Sequence, residues 1–173
     1  MARSYIYKSV MITLCLYAFE GFSIAQERIN VTTGIGIQEL LNVGLRYHIS
    51  QTQLGISIGS LPLKEEKIFS ISADAYFHFG GRSELSTRRP WYSRIGMNYL
   101  RDETKTLIDK YLYANVRVGR DFNFSEKLGM NIELGMSIEA MNDRTFKDSA
   151  LVWIFNLDFP ILPGLGICLF YRI

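Results

Sequence analysis

The sequence predicts an all-β fold, an antiparallel up-and-down β-barrel of about eight strands, and three observations predict it. Apolar residues recur with period two in eight separate segments, an alternation that a helix cannot place on one face. Most of the glycines fall on the opposite, polar phase of those segments. The last nine residues keep an apolar row, Leu165, Ile167, Leu169, Tyr171 and Ile173, with Gly166, Cys168, Phe170 and Arg172 on the other face. An apolar row of that kind suits a sheet that closes on itself.

The 173 residues, 48% hydrophobic with a net charge of +2, are enough for one domain. No run of Lys and Arg is long enough to track phosphates, so nothing favours a nucleic-acid partner. Arg3 and Lys8 precede an apolar run, Val10 to Phe19, and then Ser23 and Ala25. These are the parts of a secretory signal peptide, with cleavage expected after Ala25. The domain reading is therefore a leader over 1–25 and a barrel over 26–173. The apolar core of the leader is shorter than the ~20 residues of a spanning helix, and no other stretch is long enough. Cys15 lies in the leader without the small neighbour that lipidation needs. Cys168 is then alone in the mature chain and reads as a small apolar filler.

Each strand follows from its own alternation. Ile29 to Gln38 places Ile29, Val31, Thr33, Ile35 and Ile37 on one side. Asn42 to Ser50 places Val43, Leu45, Tyr47 and Ile49 there, and Leu54 to Gly59 follows with Leu54, Ile56 and Ile58. Phe69 to Phe79 contributes six such positions, Trp91 to Leu100 is weaker, and Leu112 to Phe122 resumes the pattern. Leu128 to Ala140 alternates over thirteen residues, long for a strand in water but suited to a tilted one crossing a bilayer. The terminal strand is the eighth. Between them Leu63 to Lys67, Arg82 to Pro90, Arg101 to Lys110 and Asn142 to Ser149 are charged or polar and are expected as loops. Ala150 to Pro163 is expected as a long loop or an irregular extension of the last strand, since Pro160 and Pro163 interrupt central strands. A ten-stranded count would require a strand in Ala150 to Phe159 and another near the N-terminus.

Two arrangements of the faces are open. In a sandwich or lipocalin-like barrel in water the apolar rows point inward; in a membrane barrel they point outward. The second is favoured because the rows are long, and because Gly34, Gly36, Gly44, Gly55, Gly59, Gly96, Gly119, Gly129, Gly135, Gly164 and Gly166 share the other face. A narrow lumen wants small residues on its wall. Aromatic residues also gather near the strand ends: Tyr47, Phe77, Phe79, Trp91, Phe122 and Tyr171 at one edge, Phe69, Tyr99 and Tyr111 at the other. Two aromatic girdles are expected at the two bilayer interfaces.

On these residues the chain resembles the small outer-membrane β-barrel proteins of Gram-negative bacteria, the eight-stranded class of the OmpA transmembrane domain. The resemblance implies insertion in the outer membrane with both termini periplasmic. It also implies that Leu165, Ile167, Leu169, Tyr171 and Ile173 serve as the signal read by the barrel-assembly machinery, although that signal usually ends in an aromatic residue. Asn123 to Lys127 looks like a tight periplasmic turn, whereas Gly80 to Pro90 is longer than such turns usually are.

The inner phase carries Arg46, Arg94, Arg117 and Arg172 beside Asp74, Asp121, Glu133 and Glu139. A charge in a narrow interior must be matched, so Arg117 is expected to pair with Glu133 and Arg94 with Asp74. A charge-paired lumen leaves no open channel. No catalytic, metal or cofactor signature is visible. Ser57, His48, His78 and Asp74 share a face and could be written as a hydrolytic group, but the spacing does not bring them together. The expected role is structural, or binding through the outer loops, by a monomer whose partners are outer-membrane lipid and an unidentified extracellular ligand. A small passive porin and a lipid acyltransferase or deacylase are the alternatives.

Overall fold

The computed structural model describes residues 28–62, 67–104, 107–146 and 161–173. Eight strands run β1 (Ile29–Gly36), β2 (Leu40–Ile49), β3 (Thr52–Pro62), β4 (Lys67–Gly80), β5 (Trp91–Glu103), β6 (Leu107–Asn123), β7 (Leu128–Phe146) and β8 (Ile161–Arg172). Each pairs antiparallel with the next, and β8 returns to β1 from Asn30 opposite Arg172 to Gly36 opposite Gly166, closing the barrel. Eight strands thus complete the ring, and the ten-stranded count is set aside. The leader and Ala150 to Phe159 lie outside the described residues.

The pleat sends alternate side chains to opposite faces, and the faces are sorted by polarity. Asn30, Arg46, Asp74, Arg94, Asn98, Asn115, Arg117 and Glu133 are buried inside, while Val43, Ile56, Ile71, Ile95, Leu134 and Ile167 are exposed outside. The few buried apolar side chains include Tyr113 and also Tyr76, Tyr92 and Phe170, for which Gly55, Gly119 and Gly129 make room. An added Cβ at Gly119 would strike the Tyr92 ring.

The strands are unequal. Arg28 and Ile173 lie at one end, here the terminal end, with the turns after β2, β4 and β6. At the opposite, far end β8 stops where Ile161 faces Ile138, but β7 continues to Phe146 against Leu107 of β6. These eight further positions carry the β6–β7 pair beyond the start of β8 by on the order of 25 Å along the strand, while β5 accompanies β6 to Glu103 opposite Ile108. Two expected loops are therefore largely strand. Arg101 to Glu103 and Leu107 to Lys110 extend β5 and β6, and Asn142 to Phe146 extends β7. Charged side chains there sit in register across strands, Arg101 opposite Lys110 and Lys110 opposite Asp143. A polar stretch had ended the apolar period without ending the ladder. Pro163 lies within β8 opposite Met136, at a height that the β1 pairing does not reach, so its missing N–H disrupts no second ladder.

Candidate functional site

The centre of the lumen is a cluster of three arginines and three carboxylates. Arg94 on β5 reaches Glu133 Oε2 at 2.6 Å, Asp74 Oδ2 at 2.7 Å and Glu39 Oε1 at 2.9 Å. Arg117 on β6 holds Glu39 Oε1 at 2.9 Å and approaches Glu133 Oε2 at 3.7 Å. Arg46 lies 3.9 Å from Glu133 and stacks over the Tyr76 ring, 4.2 Å from its centroid. The Tyr92 hydroxyl donates to Glu133 Oε1 at 2.8 Å, and Ser72 donates to Asp74 Oδ2 at 3.0 Å. Opposite charges thus meet in equal number where water is scarce, as buried ions require.

Glu39 is the member that the alternation did not reveal. It sits in the turn between β1 and β2, which folds into the lumen instead of standing above the wall. Leu40 takes a positive φ of 61°, uncommon for a bulky residue, as the chain re-enters β2. Gln38 and Glu39 are buried, and Arg117 Nη2 donates to Gln38 Oε1 at 2.7 Å. The Ser70 hydroxyl donates to the Glu39 carbonyl at 2.9 Å, and an added Cβ at Gly59 would collide with that oxygen. Gly59 is therefore required by the close passage of another backbone. One sequence signal pointed here. At mid-barrel the inward set Arg46, Arg94 and Arg117 has only Asp74 and Glu133 opposite, one anion short.

The remaining predicted residues lie elsewhere. Asp121 is buried toward the terminal end, away from the six-membered cluster. Arg172 clasps the β6–β7 turn, donating to the Glu126 carbonyl at 2.5 Å and to Asn123 Oδ1. Glu139 stands half-buried opposite Tyr113, next to the bulge in the β6–β7 ladder. Tyr47, Phe77, Phe79, Trp91, Phe122 and Tyr171 are exposed on the outer face at the terminal end, and Phe69 is exposed toward the other edge with Tyr99 in the same outer phase. Tyr111 is a correction: it shares the inner phase of β6 with buried Tyr113 and stacks on its ring at 5.8 Å, so it belongs to the lumen and not to a girdle. Its assignment failed because residues 111 and 112 lie on opposite faces, and Leu112 holds the outward one.

Ser57, His48, His78 and Asp74 do not assemble. Ser57 Oγ shares a hydrogen bond with Ser72 at 2.7 Å, and His78 contacts the Arg89 carbonyl at 2.7 Å and Gln53 at 3.3 Å.

Residues 81–90 lie across the terminal end. Gln51 donates to the Thr87 carbonyl and accepts from the Arg89 N–H, each at 3.1 Å, while Asn123 donates to Ser83 Oγ at 2.9 Å. The segment is thereby tied to the turns on both sides of it. From it buried Arg88 points into the barrel, where the Asn30 amide oxygen accepts from both guanidinium nitrogens at 3.1 and 3.3 Å when turned toward them. Beside the central cluster the interior leaves a gap of only about 30 Å³, space for one or two water molecules.

In architecture the chain is similar to the crystal structure of the N-terminal β-barrel domain of Pseudomonas aeruginosa OprF, with a TM-score of 0.49 and 15% identity over 83% of this chain and 95% of that one. No protein-family model matches the sequence, and no curated protein matches it.

Proposed function

We propose that the chain is an outer-membrane barrel that crosses the bilayer with its eight strands, keeps its lumen shut and binds through the far-end hairpins and loops. The observation that carries this reading is the inversion of the faces. Arg117 and Glu133 are 1% and 3% exposed, whereas Leu134 and Ile56 are 64% and 63% exposed. Each large apolar side chain withdrawn from water contributes roughly 1.5–3 kcal/mol, so a continuous outer band of them is stable only against lipid.

The edges of the band support the same reading. At the terminal end it finishes in aromatic rings, among which exposed Arg120 lies over Trp91 at 5.3 Å and Phe122 at 5.1 Å. At the far end the outer face becomes charged, with Arg101 bonded to Glu103 at 2.9 Å and Lys110 facing Asp143 at 3.5 Å. The leader would export the chain, and the outward row Leu165, Ile167, Leu169, Tyr171 and Ile173 would meet the assembly machinery. The paired lumen, the inward β1–β2 turn and the floor formed by residues 81–90 support a closed scaffold over a porin or an enzyme.

Fractionation and planar-bilayer recording test this together. The protein is expected in the membrane fraction and to give no steady conductance. Recovery wholly in the aqueous fraction would overturn the membrane reading, and a large constant conductance would overturn the sealed lumen.

A further inference from the structure

We propose that the mouth of the barrel at its terminal end is a binding site for phosphate-bearing anions. A cavity of about 1170 Å³ opens there, some forty times the gap beside the central cluster. Five arginines from three stretches of chain line it: Arg28 ahead of β1 and Arg82 and Arg89 in residues 81–90 are exposed, while Arg88 and Arg172 are buried behind them, bonded to Asn30 and to the β6–β7 turn, and add their charge to the field of the mouth. Against these five stand two carboxylates on the wall, Glu84 and Glu126. Even with buried Asp121 counted behind the wall, the positive charges outnumber the negative. That is unlike the central cluster, where the numbers are equal.

The chemistry of the wall points to phosphate. A guanidinium presents five N–H donors in a planar fork that matches a tetrahedral oxyanion, and a phosphate offers three or four acceptor oxygens to donors arriving from several directions. Ser83, Ser86 and Thr87 add hydroxyls to the same cavity. Ser83 and Ser86 are oriented by backbone N–H groups, from Leu85 at 3.3 Å and Arg88 at 3.2 Å. His48 lines the mouth as well. Arg28 and Arg82 are exposed, while Arg89 spends one nitrogen on the Phe79 carbonyl at 2.8 Å and retains further donors. The floor segment, long for a turn, is thus both a plug and the main wall of the site.

Two sources could supply the phosphate, a phospholipid headgroup from the adjoining leaflet or a soluble phosphate; the lipid source rests on the membrane reading above. The test uses the full barrel in neutral detergent, titrated calorimetrically with inorganic diphosphate. Binding is expected, and the Arg28→Glu, Arg82→Glu double variant should weaken it by at least about tenfold. Arg101→Glu with Lys110→Glu, at the other end, should leave it unchanged. Unboiled gel migration would verify that every variant remains folded. Repeating the titration in nanodiscs with and without phosphatidylglycerol separates the sources: competition by the lipid assigns the headgroup, and equal affinity in both discs assigns soluble phosphate. Absence of diphosphate binding, or equal binding by the mouth variant, would overturn the proposal, and neither result bears on whether the barrel inserts.

Discussion

Arg94 touches three carboxylates on three different stretches of chain; its removal would take from Asp74 the cation that faces it, and leave Glu39 to Arg117 and Glu133 to Arg46, Arg117 and the Tyr92 hydroxyl. Breaking one buried ion pair costs about 3–5 kcal/mol because the surviving charge is left without a partner. Arg94→Ala should therefore lower the urea stability of the folded barrel by at least that amount. Arg101→Ala removes the partially exposed partner of Glu103 and should cost no more than about 1 kcal/mol. Equal losses in the two variants would argue that the lumen cluster is not what holds the interior. At this scale the alternation placed Arg46, Arg94, Arg117, Asp74 and Glu133 on the inner phase, because phase is a property of each strand alone. It left out Glu39, since a turn has no phase to read.

Along an element the outer rows have a depth scale that substitution can measure. Leu134 stands midway along the apolar row of β7, between Leu128 and Ile138, whereas Met141 lies past the bulge, next to the charged hairpin. Leu134→Arg should destabilise the inserted barrel by about 2–4 kcal/mol and Met141→Arg by about 0–1 kcal/mol. The readout is unfolding in lipid vesicles, and equal penalties would mean that the band does not span lipid as drawn. All eight strands were legible from period two, but their far ends were not. Arg101 to Lys110 has the composition of a loop, and only the ladder partners across β5, β6 and β7 extend it as a hairpin.

For the molecule as a whole, the proposed seal depends on parts far apart in sequence. Arg94 and Arg117 bond Glu39 across 55 and 78 positions of chain, so the β1–β2 turn is held in the lumen by strands on the other side of the ring. Replacing both Gln38 and Glu39 by Ala should release that turn and convert a silent barrel into one with small, flickering conductance steps in a planar bilayer. Gly59→Val should do the same by excluding the Glu39 carbonyl. A variant of either kind as silent as the parent would place the seal elsewhere, in the floor of residues 81–90.

The sequence by itself determined the class of sheet and the polarity of each strand face, and left the count at eight or ten. Those follow from the two-residue repeat of a pleated strand and need no neighbour to be read. Only the tertiary structure decided that eight strands close the ring, which charges meet, that a turn folds into the lumen and that arginines from three stretches of chain surround one mouth. Each of these depends on strand height and curvature around a closed ring. Heights are set by register and by bulges such as the one at Leu112 and Tyr113, which accumulate across the sheet and leave no mark on any single segment.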